Sequence, residues 1–151
     1  MSDYVVPQPR ISIPDHAPEA FKALYAVSRA INPHLDPVLA ELVKLRCSQI
    51  NGCAYCVDMH TRDALKAGED ERRLFAVSAW REAPFFTAKE RAALALAESV
   101  TLVAETHVPD DVWEGAEKEF TPEELSYLLL AITTINTYNR LQVSSRALPR
   151  P

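Results

Sequence analysis

Eleven prolines and only three glycines leave this chain little to build except helices joined by short turns. Proline has no N–H to donate and starts or ends helices, and here it falls mainly at the two ends and at segment boundaries. A turn-rich β fold draws on glycine, which is scarce. The first predicted helix runs from Ala17 to about Ile31, with Phe21, Leu24, Tyr25 and Ser28 on one face, and Asn32-Pro33 ends it. Asp36-Pro37 opens a second helix, a capping side chain followed by proline at the first helical position, and Gly52 breaks it after Asn51. A third helix begins at or just before Cys53 and closes at Gly68, and a fourth spans Asp70 to about Arg81. Thr87-Ala88-Lys89-Glu90 is a capping box for a fifth helix reaching about Glu105. Pro109-Asp110-Asp111 opens a short sixth. Thr121-Pro122-Glu123-Glu124 is a second capping box, and the helix behind it is predicted through Asn139. The expected fold class is all-α, with about seven helices.

Residues 1–16 read as an extended arm lying along the surface or over a neighbouring subunit, with strand character at most in Val5-Val6 and Ile11–Ile13. Residues 17–145 form the helical domain, and 146–151 a C-terminal tail. A length of 151 residues suits one compact domain or one subunit of an oligomer, and an apolar fraction of 48% supplies its core. The formal net charge of -5, with no basic run longer than two residues, argues against nucleic acid or an anionic membrane as partner. The longest apolar run, Tyr127–Ile132, is six residues, far short of a membrane span. The N-terminus lacks the pattern of a signal peptide, so a cytoplasmic location is expected. Thiols there are mostly reduced, and three cysteines do not suggest a secreted disulfide framework.

Against that background Cys53-Ala54-Tyr55-Cys56, followed by His60, stands out. On a helix, positions 53, 56 and 60 share a face. Two thiols this close exchange two electrons by making and breaking a disulfide, and a helix N-terminus favours a thiolate. His60 offers a base or an orienting partner. Zinc is the second use of such a pair, but a structural zinc site takes four ligands, usually as two separated pairs. No second pair exists here: Cys47 precedes the motif on another helix, and His16, His34 and His107 are scattered. The plainest alternative makes the cysteines core residues and His60 a surface residue. Glu41, on the edge of the apolar arc of the second helix, is either a surface glutamate or a partly buried carboxylate with a raised pKa suited to moving protons. Cys47 reads as a small buried hydrophobe. Tyr55 is expected over the pocket mouth, and Trp80, Trp113 and Phe85-Phe86 in the core or at subunit contacts. Asn136, Asn139 and Arg140 are unusual for a core-facing stretch, and fit either hydrogen bonds to turns or to a neighbouring subunit, or a solvated helix end.

Glu41, eleven residues, then Cys53-x-x-Cys56-x-x-x-His60 resembles the signature of the alkylhydroperoxidase D (AhpD)-like proteins of the carboxymuconolactone decarboxylase superfamily. The flanking Lys44–Gly52 and Asp58-Met59-His60 match as well. So do Ala79-Trp80-Arg81-Glu82, Phe85-Phe86, Glu90–Leu94, Ile135-Asn136 and Asn139-Arg140-Leu141, and the likeness covers roughly residues 17–145. It implies an all-helical fold that assembles into a homo-oligomer (a dimer, trimer or hexamer) and a thiol-dependent peroxidase acting on small organic hydroperoxides with a thiol or dithiol electron donor. Cys56 would attack the peroxide and Cys53 would resolve the product as a disulfide. His60 and Glu41 would relay protons, with no cofactor and no metal. A protein disulfide reductase or a non-enzymatic redox sensor would use the same pair. One residue departs from the pattern: peroxidase members carry a histidine between the cysteines, where this chain has Tyr55. An imidazole exchanges protons near neutral pH and a phenol does not, which shifts weight toward general thiol–disulfide exchange. The decarboxylase branch lacks the cysteine pair.

Overall fold

The computed structural model describes residues 3–150, and among these the fold is all-α, with no strand. Residues 1 and 2 of the arm and Pro151 of the tail lie outside the described residues. Nine α-helices follow one another: α1 Ile13–His16, α2 Pro18–Ile31, α3 Pro37–Asn51, α4 Ala54–Lys66, α5 Glu71–Ala76, α6 Ala88–Thr101, α7 Val103–Thr106, α8 Asp110–Glu119 and α9 Pro122–Ser145. Seven of them are the expected helices. The two additions, α1 and α7, are single turns of four residues each.

The predicted start signals act as read. Asp36 caps α3 by accepting from the Leu39 N–H at 2.9 Å, and both capping boxes close at Thr87 and Thr121. Gly52 ends α3 at φ +66, a conformation that L side chains rarely adopt. The stop signals were weaker guides. The fifth predicted helix breaks at Leu102 rather than running to Glu105, amid Val100, Thr101 and Val103, whose branched side chains lower helix propensity. The fourth passes into a 3-10 turn at Val77–Ala79 as Trp80 turns into the core. The last continues six residues beyond Asn139, to Ser145, and stops with Arg146 at φ 55 in the left-handed region. No glycine marked that stop.

The arm is not a strand. Val5 is almost fully exposed, no partner strand exists among the described residues, and the chain turns helical at Ile13 instead of staying extended through residue 16. The Arg10 N–H donates to the Ser145 carbonyl at 2.9 Å, and the Arg146 guanidinium donates to the Gln8 carbonyl at 3.3 Å, which ties the arm to the end of α9.

Helix α3 is the centre of the molecule and packs against α4, α6 and α9. Its two sides serve two apolar clusters. Leu39, Ala40, Val43 and Cys47 join α6, α8 and α9 residues such as Leu96, Ala116, Leu128 and Ile132. Leu42 and Leu45 join Ala64, Leu74, Val77, Trp80, Phe86 and Leu94. At roughly 1.5–3 kcal/mol for each fully buried large aliphatic side chain, these clusters dominate the fold's stability.

Between α3 and α9 runs a buried polar seam. The Asn51 amide donates to Asn136 Oδ1 and Asn139 Oδ1, both at 2.9 Å. Asn139 donates to Ser48 Oγ at 3.0 Å, Asn136 donates to Thr101 Oγ1 at 3.0 Å, and Arg140 donates to Asn136 Oδ1 at 2.8 Å. These asparagines are therefore neither a solvated helix end nor free for a neighbour. The seam fixes the last turn of α3 immediately before the cysteine motif, where the Cys53 N–H donates to the Ser48 carbonyl at 3.0 Å.

Candidate functional site

Gly52 reverses the chain between α3 and α4, so residues one helix apart in sequence face each other in space. Cys53 is the N-cap of α4, and its sulfur accepts the Cys56 N–H at 3.2 Å. Sulfur with partial negative character is favoured at that place by the unpaired N–H groups of the first turn. The Cys53 and Cys56 sulfurs are at bonding distance, 2.12 Å. Both residues are only 1% exposed.

One turn on, His60 is buried rather than on the surface, at 6% exposure. Its Nδ1 lies 2.8 Å from Glu41 Oε2 on α3, and Lys44 Nζ donates to Glu41 Oε1 at 2.9 Å. Facing a carboxylate, Nδ1 carries the ring proton, which leaves the Nε2 lone pair free. Burial pushes the Glu41 carboxyl up, but the His60 hydrogen bond and the charge of Lys44 outweigh it, and the group sits below its ordinary value. The expectation of a raised Glu41 pKa is thus corrected. Glu41 is held in its ionised form against His60 Nδ1, and the nitrogen without a partner is His60 Nε2.

Cys56, His60 and Glu41 line one cavity of about 440 Å³, within the range of small-molecule sites. Cys53 does not line it. Tyr55 stands at the wall of this cavity and of a smaller one beside it, near the expected mouth position. Helix α9 contributes a face with helical spacing, Ala131, Thr134, Ile135, Tyr138 and Gln142, and α2 contributes Phe21 and Tyr25. Asp63 and Arg150 complete the polar rim. Glu41, His60 and Asp63 also bring potential ligand atoms within 4.8 Å of one another. The Lys44 ammonium already supplies the positive charge beside Glu41, so a cation there would meet repulsion.

The sequence pointed to Glu41, Cys53, Cys56 and His60, and the structure brings all four together. It did not single out Lys44, whose i+3 spacing from Glu41 was a usable signal. Nor did it reveal Tyr138 or Asp63. Cys47 is fully buried, bonded by the Thr101 hydroxyl at 3.3 Å, and burial pushes its thiol up to about 11. It takes no part in the site. Trp80 and Phe86 are buried in the core as expected, and Trp113 packs against it.

The profile of the Carboxymuconolactone decarboxylase family matches residues 16–99. YdfG, an uncharacterized protein of Bacillus subtilis strain 168, is 38% identical over 136 residues, 89% of this chain and 92% of its own. A crystal structure from Agrobacterium tumefaciens superposes with a TM-score of 0.93 at 40% identity, covering 95% of this chain and 99% of that one. That protein is of unknown function, and its name connects it with the antioxidant defence protein AhpD. The debrominase Bmp8 shares the fold at a TM-score of 0.81 and 18% identity, over 90% of this chain and 74% of its own.

Proposed function

The chain is an AhpD-like member of the carboxymuconolactone decarboxylase family, and we propose that it is a thiol-dependent peroxidase reducing organic hydroperoxides through Cys53 and Cys56. The observation that carries this reading is that Cys56 and a Glu41-oriented His60 share the wall of one cavity, while Cys53 stands off that wall, within bonding distance of Cys56. In the reduced enzyme His60 Nε2 takes the Cys56 thiol proton. The thiolate attacks the outer oxygen of ROOH. An S–O bond forms, the O–O bond breaks, and the departing RO⁻ takes its proton from the imidazolium and leaves as ROH. The Cys53 thiol then attacks the sulfur of the Cys56 sulfenic acid, expelling water and forming the disulfide. A thiol or dithiol donor reduces that disulfide to restart the cycle.

A protein disulfide reductase would use the same couple, and Tyr55 in place of a histidine favours exchange over peroxide chemistry. Burial weighs the other way: a cysteine pair 1% exposed, one member of which lines a cavity, suits a small substrate better than a protein disulfide. A sensor whose disulfide changes shape or assembly is the non-enzymatic alternative. We take the protein to be cytoplasmic and homo-oligomeric, the exposed apolar residues of the arm, Tyr4, Val5 and Val6, supplying part of the contact. No helix among the described residues is long and apolar enough to cross a membrane.

The test is hydroperoxide turnover with a dithiol reductant, wild type against Cys56→Ser. Loss of turnover in the variant supports the peroxidase; equal rates sink it. Turnover of a protein disulfide without any of hydroperoxide would move the assignment to the reductase, and a change of oligomer size on oxidation without either activity would move it to the sensor.

A further inference from the structure

Two buried side-chain polar atoms have no hydrogen-bond partner among the described residues, His60 Nε2 and the Tyr138 hydroxyl. Such atoms are rare in folded proteins, because leaving one unpaired costs roughly 1–3 kcal/mol, and they point to a missing water or ligand. Both belong to residues lining the cavity over Cys56. Neither atom is exposed to solvent, and the cavity is the open space that the two residues share. The site chemistry makes them complementary. His60 Nε2 presents a lone pair, since Nδ1 faces Glu41, whereas a phenol hydroxyl donates. Tyr138 is also held in place: its ring meets Phe21 edge-on, with centroids 6.1 Å apart.

We propose that Tyr138 is a substrate-contacting residue: in the complex that precedes proton transfer from Cys56, its hydroxyl donates to the inner oxygen of a bulky organic hydroperoxide whose outer O–H is received by His60 Nε2. This deepens the peroxidase reading and rests on it. A hydroperoxide is a ligand with an acceptor oxygen and an O–H on adjacent atoms, which is what one donor and one acceptor at a common site select. The inner oxygen is the one that receives the electron pair when the O–O bond breaks, so a donor aimed at it stabilises charge as it develops. The organic group lies among Phe21, Tyr25, Met59 and Ile135, which gives an apolar substituent an advantage over hydrogen peroxide.

The experiment compares wild type with Tyr138→Phe, which removes one oxygen and keeps the ring. Calorimetric binding of cumyl alcohol, the unreactive product of cumene hydroperoxide, is measured first. Weakening by fivefold or more supports the proposal, and unchanged binding, or none to the wild type, overturns it. Turnover of cumene hydroperoxide is measured next: kcat/KM falls about 10-fold, as expected for one lost hydrogen bond in the transition state, while reduction of the Cys53–Cys56 disulfide by dithiothreitol keeps its rate. An unchanged kcat/KM overturns the role of Tyr138. Thermal unfolding separates this from a structural role, because removing an unpaired hydroxyl leaves the melting temperature unchanged or raises it, whereas a lowered one overturns the proposal. Wild type that binds cumyl alcohol through Tyr138 but turns over no hydroperoxide would sink the peroxidase reading while leaving Tyr138 as a ligand contact.

Discussion

Two carboxylates of this molecule, Glu41 and Glu98, begin from nearly the same circumstances. Each side chain is 13% exposed, each sits on a helix of the core, and each is held by cationic donors. Burial raises both carboxyls, and their hydrogen bonds and ion pairs bring both below the ordinary value. They differ in what surrounds them. Glu98 accepts from Trp80 Nε1 and Arg46 Nε, both at 2.9 Å, and from the Arg81 guanidinium. An indole N–H and two guanidinium groups act only as donors, so Glu98 is a fixed clamp joining α3, α6 and the turn after α5. Glu41 faces His60, whose remaining nitrogen is unpaired in the wall of a cavity. A carboxylate becomes part of a reactive centre when its partner can change protonation and something can reach that partner.

The strongest test of this contrast removes the sulfur that Glu41 and His60 serve. Cys56→Ser is expected to lower hydroperoxide turnover about 10³-fold or more, measured with a dithiol donor in excess. Next comes Glu41→Gln. An amide no longer fixes the ring proton on Nδ1, and turnover falls about 100-fold, with a shifted pH–rate profile. Turnover within twofold of wild type would reduce Glu41 to the role of Glu98. The converse variant, Glu98→Gln, is expected to cost about 1.5–3 kcal/mol in urea unfolding, because it weakens hydrogen bonds to charged groups, and to leave kcat/KM unchanged.

A smaller effect appears in acid. Both carboxyls bind their protons less readily in the folded protein than in the unfolded chain. Their contribution to stability is therefore complete above about pH 4.5 and is lost as pH falls through their folded values. Stability measured from neutral pH down into acid should decline less steeply in either glutamine variant than in wild type. Parallel curves would contradict the ion-pair assignments. The smallest expected change is in Cys47→Ser, which leaves turnover unaltered, since a fully buried thiol with its pKa pushed up to about 11 supplies no thiolate. Any large loss of turnover there would show that the cysteine pair does not act alone.

Helix starts were readable because they are local. Asp36-Pro37, Thr87 to Glu90 and Thr121 to Glu124 place a capping oxygen and its N–H within one turn, and the side chains act as the sequence predicts. Stops were less readable where no glycine marked them. The branched residues around Leu102 lower helix propensity without marking a stop, and Arg146 ends the last helix where the arm bonds the Ser145 carbonyl, a contact that a local window does not contain. The candidate site divides in the same way. Cys53, Cys56 and His60 share a face by spacing alone. Glu41, twelve positions before Cys53, joined them only through resemblance to a family until the turn at Gly52 laid α3 against α4.

By itself the sequence determined the all-helical class, the order of the main helices and the dithiol motif, because capping, proline placement and helical spacing act over a few residues. The tertiary structure decided which atoms were left to react. It tied Asn51, Asn136 and Asn139 together by hydrogen bonds, enclosed Cys47, turned Glu41 into the partner of His60, and left unpaired His60 Nε2 and the Tyr138 hydroxyl, on residues of the cavity that Cys56 lines. Those outcomes depend on contacts between residues up to about ninety positions apart, which no local pattern encodes.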